Sequence, residues 1–142
     1  MGGYRGSILR DAKTKRRLWI PIKAGLNLRK VDLRIGPDES DEEKTQKEII
    51  PDRMLSHIGR VVISIRLMKK LIAMPIYTVT NYGYDWRLSL HISAELLKEK
   101  LQNIYDKQEV KKGTYVIAHS MGGLVAHKVL QEHTHLIRGL IY

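Results

Sequence analysis

The residues of this sequence best suited to covalent chemistry are Ala118-His119-Ser120-Met121-Gly122-Gly123. A serine hydroxyl is a weak nucleophile until it is exposed, oriented and set beside a base. A sharp turn from a strand into a helix gives exposure and orientation, and it needs small residues two positions either side of the serine. Ala118 and Gly122 fill those positions, alanine standing where glycine is usual, and Gly123 follows. In this arrangement Ser120 is the nucleophile, and the Met121 N–H, at the helix N-terminus, aims at the developing oxyanion. A second donor is expected from a glycine-rich turn after an earlier strand. Gly3-Tyr4-Arg5-Gly6-Ser7 is the candidate turn, and the Tyr4 N–H the candidate donor. The plainer alternative is that Ser120 caps an ordinary helix.

Outward from the serine, the pattern supplies the elements such a turn requires. Thr114–Ala118 reads as a short buried strand, and Gly122 to His133 as a helix with Leu124, Val125, Val129 and Leu130 inward. His91–Asp106 repeats its apolar residues (Ile92, Leu96, Leu97, Leu101, Ile104) at helical spacing. Pro75–Thr80 is β-branched and aromatic, and Leu136–Tyr142 is similar, so both read as strands. Strand, helix, strand, helix, strand implies a mostly parallel sheet flanked by helices, an α/β fold with a βαβαβ core over residues 75–142. Residues 1–74 read as the glycine turn followed by an irregular basic and acidic insertion. Within it, loops and short strands are expected to Ile35, and an exposed acidic loop over 37–48. Pro51-Asp52 is expected to open a helix, with Asp52 as its N-cap and Leu55, Ile58, Val62, Ile65, Met68 and Ile72 along one face.

The 142 residues are 43% hydrophobic and 28% charged, which excludes a disordered chain. There is no cysteine, so disulfides and thiolate metal sites are ruled out, and an intracellular setting is favoured. No apolar run approaches the ~20 residues of a bilayer span, and no signal peptide is expected. The net charge is +10, and residues 1–36 carry ten basic residues against two acidic, a net +8. Such a segment suits anionic lipid headgroups, or else forms a solvated surface.

Tyr84-Asp85-Trp86-Arg87-Leu88-Ser89, about thirty residues before the Ser120 turn, narrows the reading. Together with Gly2-Gly3-Tyr4-Arg5-Gly6-Ser7, this pairing resembles the lecithin:cholesterol acyltransferase-like family of α/β-hydrolases. That family includes lysosomal phospholipase A2 and the phospholipid:diacylglycerol acyltransferases. The resemblance is clearest over residues 75–142. It implies cleavage of a lipid ester through a serine acyl-enzyme, with the acyl group passed to water or to an alcohol. It implies no cofactor and no metal. It also places the triad Asp and His later in chain order, beyond Tyr142, so an incomplete or inactive fragment of a hydrolase fold, truncated at both ends, is expected.

Asp85, Trp86 and His119 are the candidates for substrate contact. For Asp85 the competing role is an ion pair with Arg87 or Arg66. For His119 it is local packing beside the elbow. His127, His133 and His135 are expected on or just past the elbow helix in surface or helix-end roles. A peripheral membrane surface is the expected partner, and nucleic acid is not. The rival from another class is a non-catalytic pseudoenzyme or binding module that uses its basic N-terminal third.

Overall fold

The computed structural model describes residues 1–20, 33–58, 61–62 and 64–142. The expectation of irregular structure over 21–32 lies outside the described residues. In chain order the elements are β1 (Ser7–Asp11), β2 (Arg17–Trp19), α1 (Glu39–Glu48), β3 (Ile49–Met54), β4 (His57–Ile58), β5 (Val61–Val62), α2 (Ile65–Ile72), α3 (Leu90–Asp106), β6 (Thr114–Ile117), α4 (Met121–Glu132) and β7 (Ile137–Ile141), with a 3₁₀ turn at Thr134–Leu136. The chain is mixed α/β. It divides into two compact units: Met1–Arg5 with Trp86–Tyr142, and Gly6–Asp85.

In the first unit β6 and β7 pair in parallel, and α4 connects them. The predicted strands and helices of this region form within a residue or two of their expected bounds. Ser89 caps α3 by accepting from the Ile92 N–H at 3.3 Å. Ser93, Ala94, Leu97 and Leu101 are its buried face, and Gly122, Gly123, Val125, Ala126 and Val129 are that of α4. Both sets recur every three to four residues, as one helical stripe must. Leu124 is a correction. Counting the stripe from Gly122 puts it on the outer face, where it is 61% exposed. Gly113, at φ 74, makes the turn into β6. The Gln108 side chain ties that turn down, Oε1 accepting from the Lys112 and Gly113 N–H groups at 3.1 Å.

In the second unit β2-β1-β3 form a three-stranded antiparallel sheet, and β4 and β5 pair as a separate antiparallel one. The expectation of a mostly parallel sheet therefore holds for β6 and β7 alone. The helix expected to open at Pro51-Asp52 is instead β3. Pro51 lacks an N–H, which an edge strand tolerates and a helix interior does not, and β3 is an edge strand. Asp52 caps no helix. It accepts from Arg10 Nε at 2.9 Å. Of the long amphipathic face predicted from Leu55 to Ile72, the helix keeps only Ile65–Ile72.

The acidic loop expected over 37–48 is α1. Its residues are good helix formers, its carboxylates crowd the first turn, and Lys47 lies in the last. An apolar stripe is what a pattern search detects, and α1 has none. Pro75–Thr80 forms no strand: no ladder pairs with it among the described residues, and Ile76 is 79% exposed. A strand without a neighbour leaves its backbone groups to water.

Candidate active site

The strand that carries the serine is held on both sides where it ends. The Ala118 N–H donates to the Ile141 carbonyl at 2.8 Å, on the β7 side. Opposite, the Met1 amine donates to the Ile117 carbonyl at 2.7 Å, and the His119 N–H donates to the Met1 carbonyl at 3.2 Å. Backbone on either side thus fixes residues 117–119, and the next residue takes the turn.

That residue is Ser120, at φ 54 and ψ −128. A left-handed backbone on a residue with a side chain costs on the order of 1–3 kcal/mol, and it persists only where the surroundings over-determine it. Here the helix closes at once behind it, the Gly122 N–H donating to the His119 carbonyl at 3.1 Å and the Gly123 N–H to the Ser120 carbonyl at 2.7 Å. The Ser120 side chain makes no hydrogen bond to the α4 N-terminus, so the helix-cap alternative fails. Ser120 and His119 are both exposed. The Met121 N–H lies in the first turn of α4, among the donors a helix leaves without an internal acceptor.

The glycines of the site are steric requirements. A Cβ at Gly122 would overlap the Gly2 carbonyl oxygen. A Cβ at Gly3 would stand 2.7 Å from Ser120 Cβ and 3.1 Å from its Oγ. The first glycine segment therefore passes directly against the serine. The sequence points to the turn but not to this role for Gly3; the Gly2-Gly3 doublet is the signal available.

Tyr4 follows at once, with its side chain 59% exposed. Its ring meets the Trp86 indole edge-on at 5.1 Å between centroids and 79° between planes. The Arg5 guanidinium lies 5.2 Å from the same ring. Arg5 has φ 58, a strain of roughly 1–2 kcal/mol for a residue with a side chain. An edge-to-face aromatic pair contributes about 0.5–1.5 kcal/mol beyond its burial, and an exposed cation–π contact about 0.5–1 kcal/mol. The two contacts are of the size needed to offset that strain.

The three residues expected to touch substrate have different surroundings. His119 is exposed beside the serine, whereas Trp86 is 6% exposed and Asp85, in the other unit, 2%. Asp85 is engaged by partners within the protein. Its neighbour Tyr84 is buried, its N–H donating to Ser7 Oγ at 3.1 Å. Burial pushes the Tyr84 hydroxyl up to about 12, so it stays protonated at neutral pH.

Among the described residues no imidazole hydrogen-bonds the Ser120 hydroxyl. His127 pairs with the Tyr142 hydroxyl at 2.5 Å, and the His133 and His135 rings meet edge-on beyond α4. No helix among the described residues is long and apolar enough to cross a membrane.

Comparisons with known proteins place the chain in a family. The family model for lecithin:cholesterol acyltransferase matches residues 56–137, more than half of the chain. The match takes in the Tyr84–Arg87 stretch and the Ser120 turn, while Gly2–Ser7 lies outside it, so the placing of Gly3 and Tyr4 rests on geometry. An uncharacterized protein of Saccharomyces cerevisiae is 69% identical over all 142 residues, which are 22% of its own length. The chain thus spans about a fifth of that relative. No solved structure matches. The chain belongs to the lecithin:cholesterol acyltransferase family.

Proposed function

We propose that this chain carries the nucleophile and the oxyanion donors of a lipid O-acyltransferase or (phospho)lipase built on an α/β-hydrolase fold. The observation that carries the reading is Ser120. It is an exposed hydroxyl on a left-handed residue between a strand and a helix, with Ala118 and Gly122 two positions either side and Gly3 packed against it. Family membership supplies the class of chemistry, acyl transfer from a lipid ester.

In this reading Ser120 Oγ loses its proton to a base and attacks the ester carbonyl carbon. The negative charge that develops on the carbonyl oxygen is met by the Met121 N–H and the Tyr4 N–H. Collapse of the tetrahedral species breaks the ester C–O bond, and the alcohol leaves with a proton. The acyl group, now on Ser120, passes to water or to a second alcohol by the same steps in reverse. The left-handed turn holds the nucleophile in place before substrate arrives, which is how positioning lowers a barrier. Tyr4 and His119, both exposed, are the side chains an arriving ester meets first. The base and its orienting carboxylate are not assigned to any residue of this chain.

Mass spectrometry after incubation with a phospholipid carrying a labelled acyl chain tests the reading. An acyl adduct on the peptide containing Ser120, absent in Ser120→Ala, is expected. Product analysis with and without a long-chain alcohol then separates transferase from lipase. No adduct, together with liposome binding that weakens steeply with salt, contradicts the reading and favours a non-catalytic module that binds membranes through the basic residues of 1–36.

A further inference from the structure

Trp86 is a candidate for substrate contact by its place in the sequence, yet its indole is buried. Among its contacts is Tyr4, edge-on at 5.1 Å, and Tyr4 is itself largely exposed. Tyr4 follows Gly3, which abuts Ser120, and precedes Arg5, whose backbone is left-handed and whose guanidinium also lies against the Tyr4 ring. Backbone bonds hold the chain on either side of this turn, at Met1 and at Ser7. Within the turn, the Tyr4 ring is held against Trp86.

We propose that Trp86 is a positioning residue that braces the Tyr4 turn beside Ser120 and does not itself contact substrate. The proposal rests on the serine chemistry proposed above for its effect on rate, but not for its effect on the turn. Loss of the brace lets the Gly3–Arg5 backbone sample other conformers, so the Tyr4 amide is in place for a smaller fraction of the time. The penalty then falls on the rate of the chemical step and leaves substrate affinity little changed.

The test uses the full-length protein with Trp86→Leu, Trp86→Phe, Tyr4→Ala and the Trp86→Leu/Tyr4→Ala pair. Two readouts are taken: the rate of Ser120 labelling by a fluorophosphonate, and hydrogen exchange of the Gly3–Arg5 amides. Trp86→Leu is expected to slow labelling by about two- to tenfold, the effect of losing one contact of this size. It should speed exchange in the turn while α4 amides exchange as before. Trp86→Phe keeps an aromatic edge and recovers most of both. The double variant is expected to be no slower than Tyr4→Ala, because that single variant already removes the contact with Trp86. Additive losses, or exchange in the turn that Trp86→Leu leaves unchanged, would overturn the proposal. If the buried substitution prevents folding, Tyr4→Ala, at an exposed position, removes the same contact and is read the same way. If the native protein takes no label while Trp86→Leu still frees the turn, the brace stands and the serine reading falls.

Discussion

The two units of this chain carry their backbone strain in different places. Both are fastened by side chains, Arg10 to Asp52 and Asp11 to its own turn in Gly6–Asp85, and Gln108 to the Lys112 and Gly113 amides in the other. Strain is not confined to one unit, since Lys15, in the β1–β2 turn, is also left-handed at φ 58. What sets apart the unit of Met1–Arg5 and Trp86–Tyr142 is where its strain sits. It places a serine in a left-handed turn and packs glycine backbone against it. A β-turn tolerates such a residue as part of its own geometry. A serine strained between a strand and a helix needs support from all sides, and that is the arrangement expected where positioning matters more than stability.

Substitutions in the two units should therefore fail in different ways. Leu9 is fully buried in β1. Leu9→Ala is expected to cost about 2–5 kcal/mol of stability, read by denaturant unfolding, with no special effect on the reactivity of molecules that remain folded. Gly3→Val is expected to do the opposite. Its side chain would collide with Ser120, and displacement of about 1 Å at a reacting atom costs on the order of 10²-fold in rate. Labelling kinetics at Ser120 and a thermal melt, taken on the same sample, separate the two effects. The contrast between the units fails if Gly3→Val unfolds the protein at unchanged labelling rate.

Smaller effects are expected within the antiparallel sheet. Arg10 and Asp52 are each about a third exposed, so Asp52→Ala should cost only about 0.5–1 kcal/mol, less at high salt. Smaller still is the effect of Asp11. Its carboxylate accepts from the Thr14 N–H at 2.6 Å, from the Thr14 hydroxyl at 2.8 Å and from the Lys13 N–H at 3.1 Å. The Thr14 backbone bond, followed by the Thr14 hydroxyl, holds its pKa below the usual carboxylate value. A depressed acid contributes stability above its unfolded pKa and loses it as pH falls through the folded one. The turn between β1 and β2 should therefore loosen below about pH 4, and Asp11→Asn should flatten that part of the pH profile.

How much of this is legible in the sequence follows the same division. From Trp86 onward, the buried faces of α3 and α4 keep a helical period, and β6 and β7 are short runs rich in β-branched residues, so all four can be read from the sequence. Between Gly6 and Asp85 other physics dominates. The apolar residues from Leu55 to Ile72 fit a helical period, but backbone pairing takes the first part of that run into strands. Pro51 resembles a helix opener because the sequence does not say which strand lies at an edge. In α1, charge and capping replace the apolar stripe. At the candidate site, the strand-to-helix turn at Ser120 is legible from the small residues around it. The approach of Gly3 to Ser120 and the contact of Trp86 with Tyr4 are not, because both join residues over eighty positions apart.

The acyl-transfer reading depends on Ser120 being an activated nucleophile. The decisive measurement treats the full-length protein and its Ser120→Ala variant with a fluorophosphonate, then maps the label by peptide mass spectrometry. A stoichiometric adduct on Ser120 is expected in the native protein and none in the variant. A native protein that stays unlabelled, or a label that persists at another residue in Ser120→Ala, would contradict the assignment.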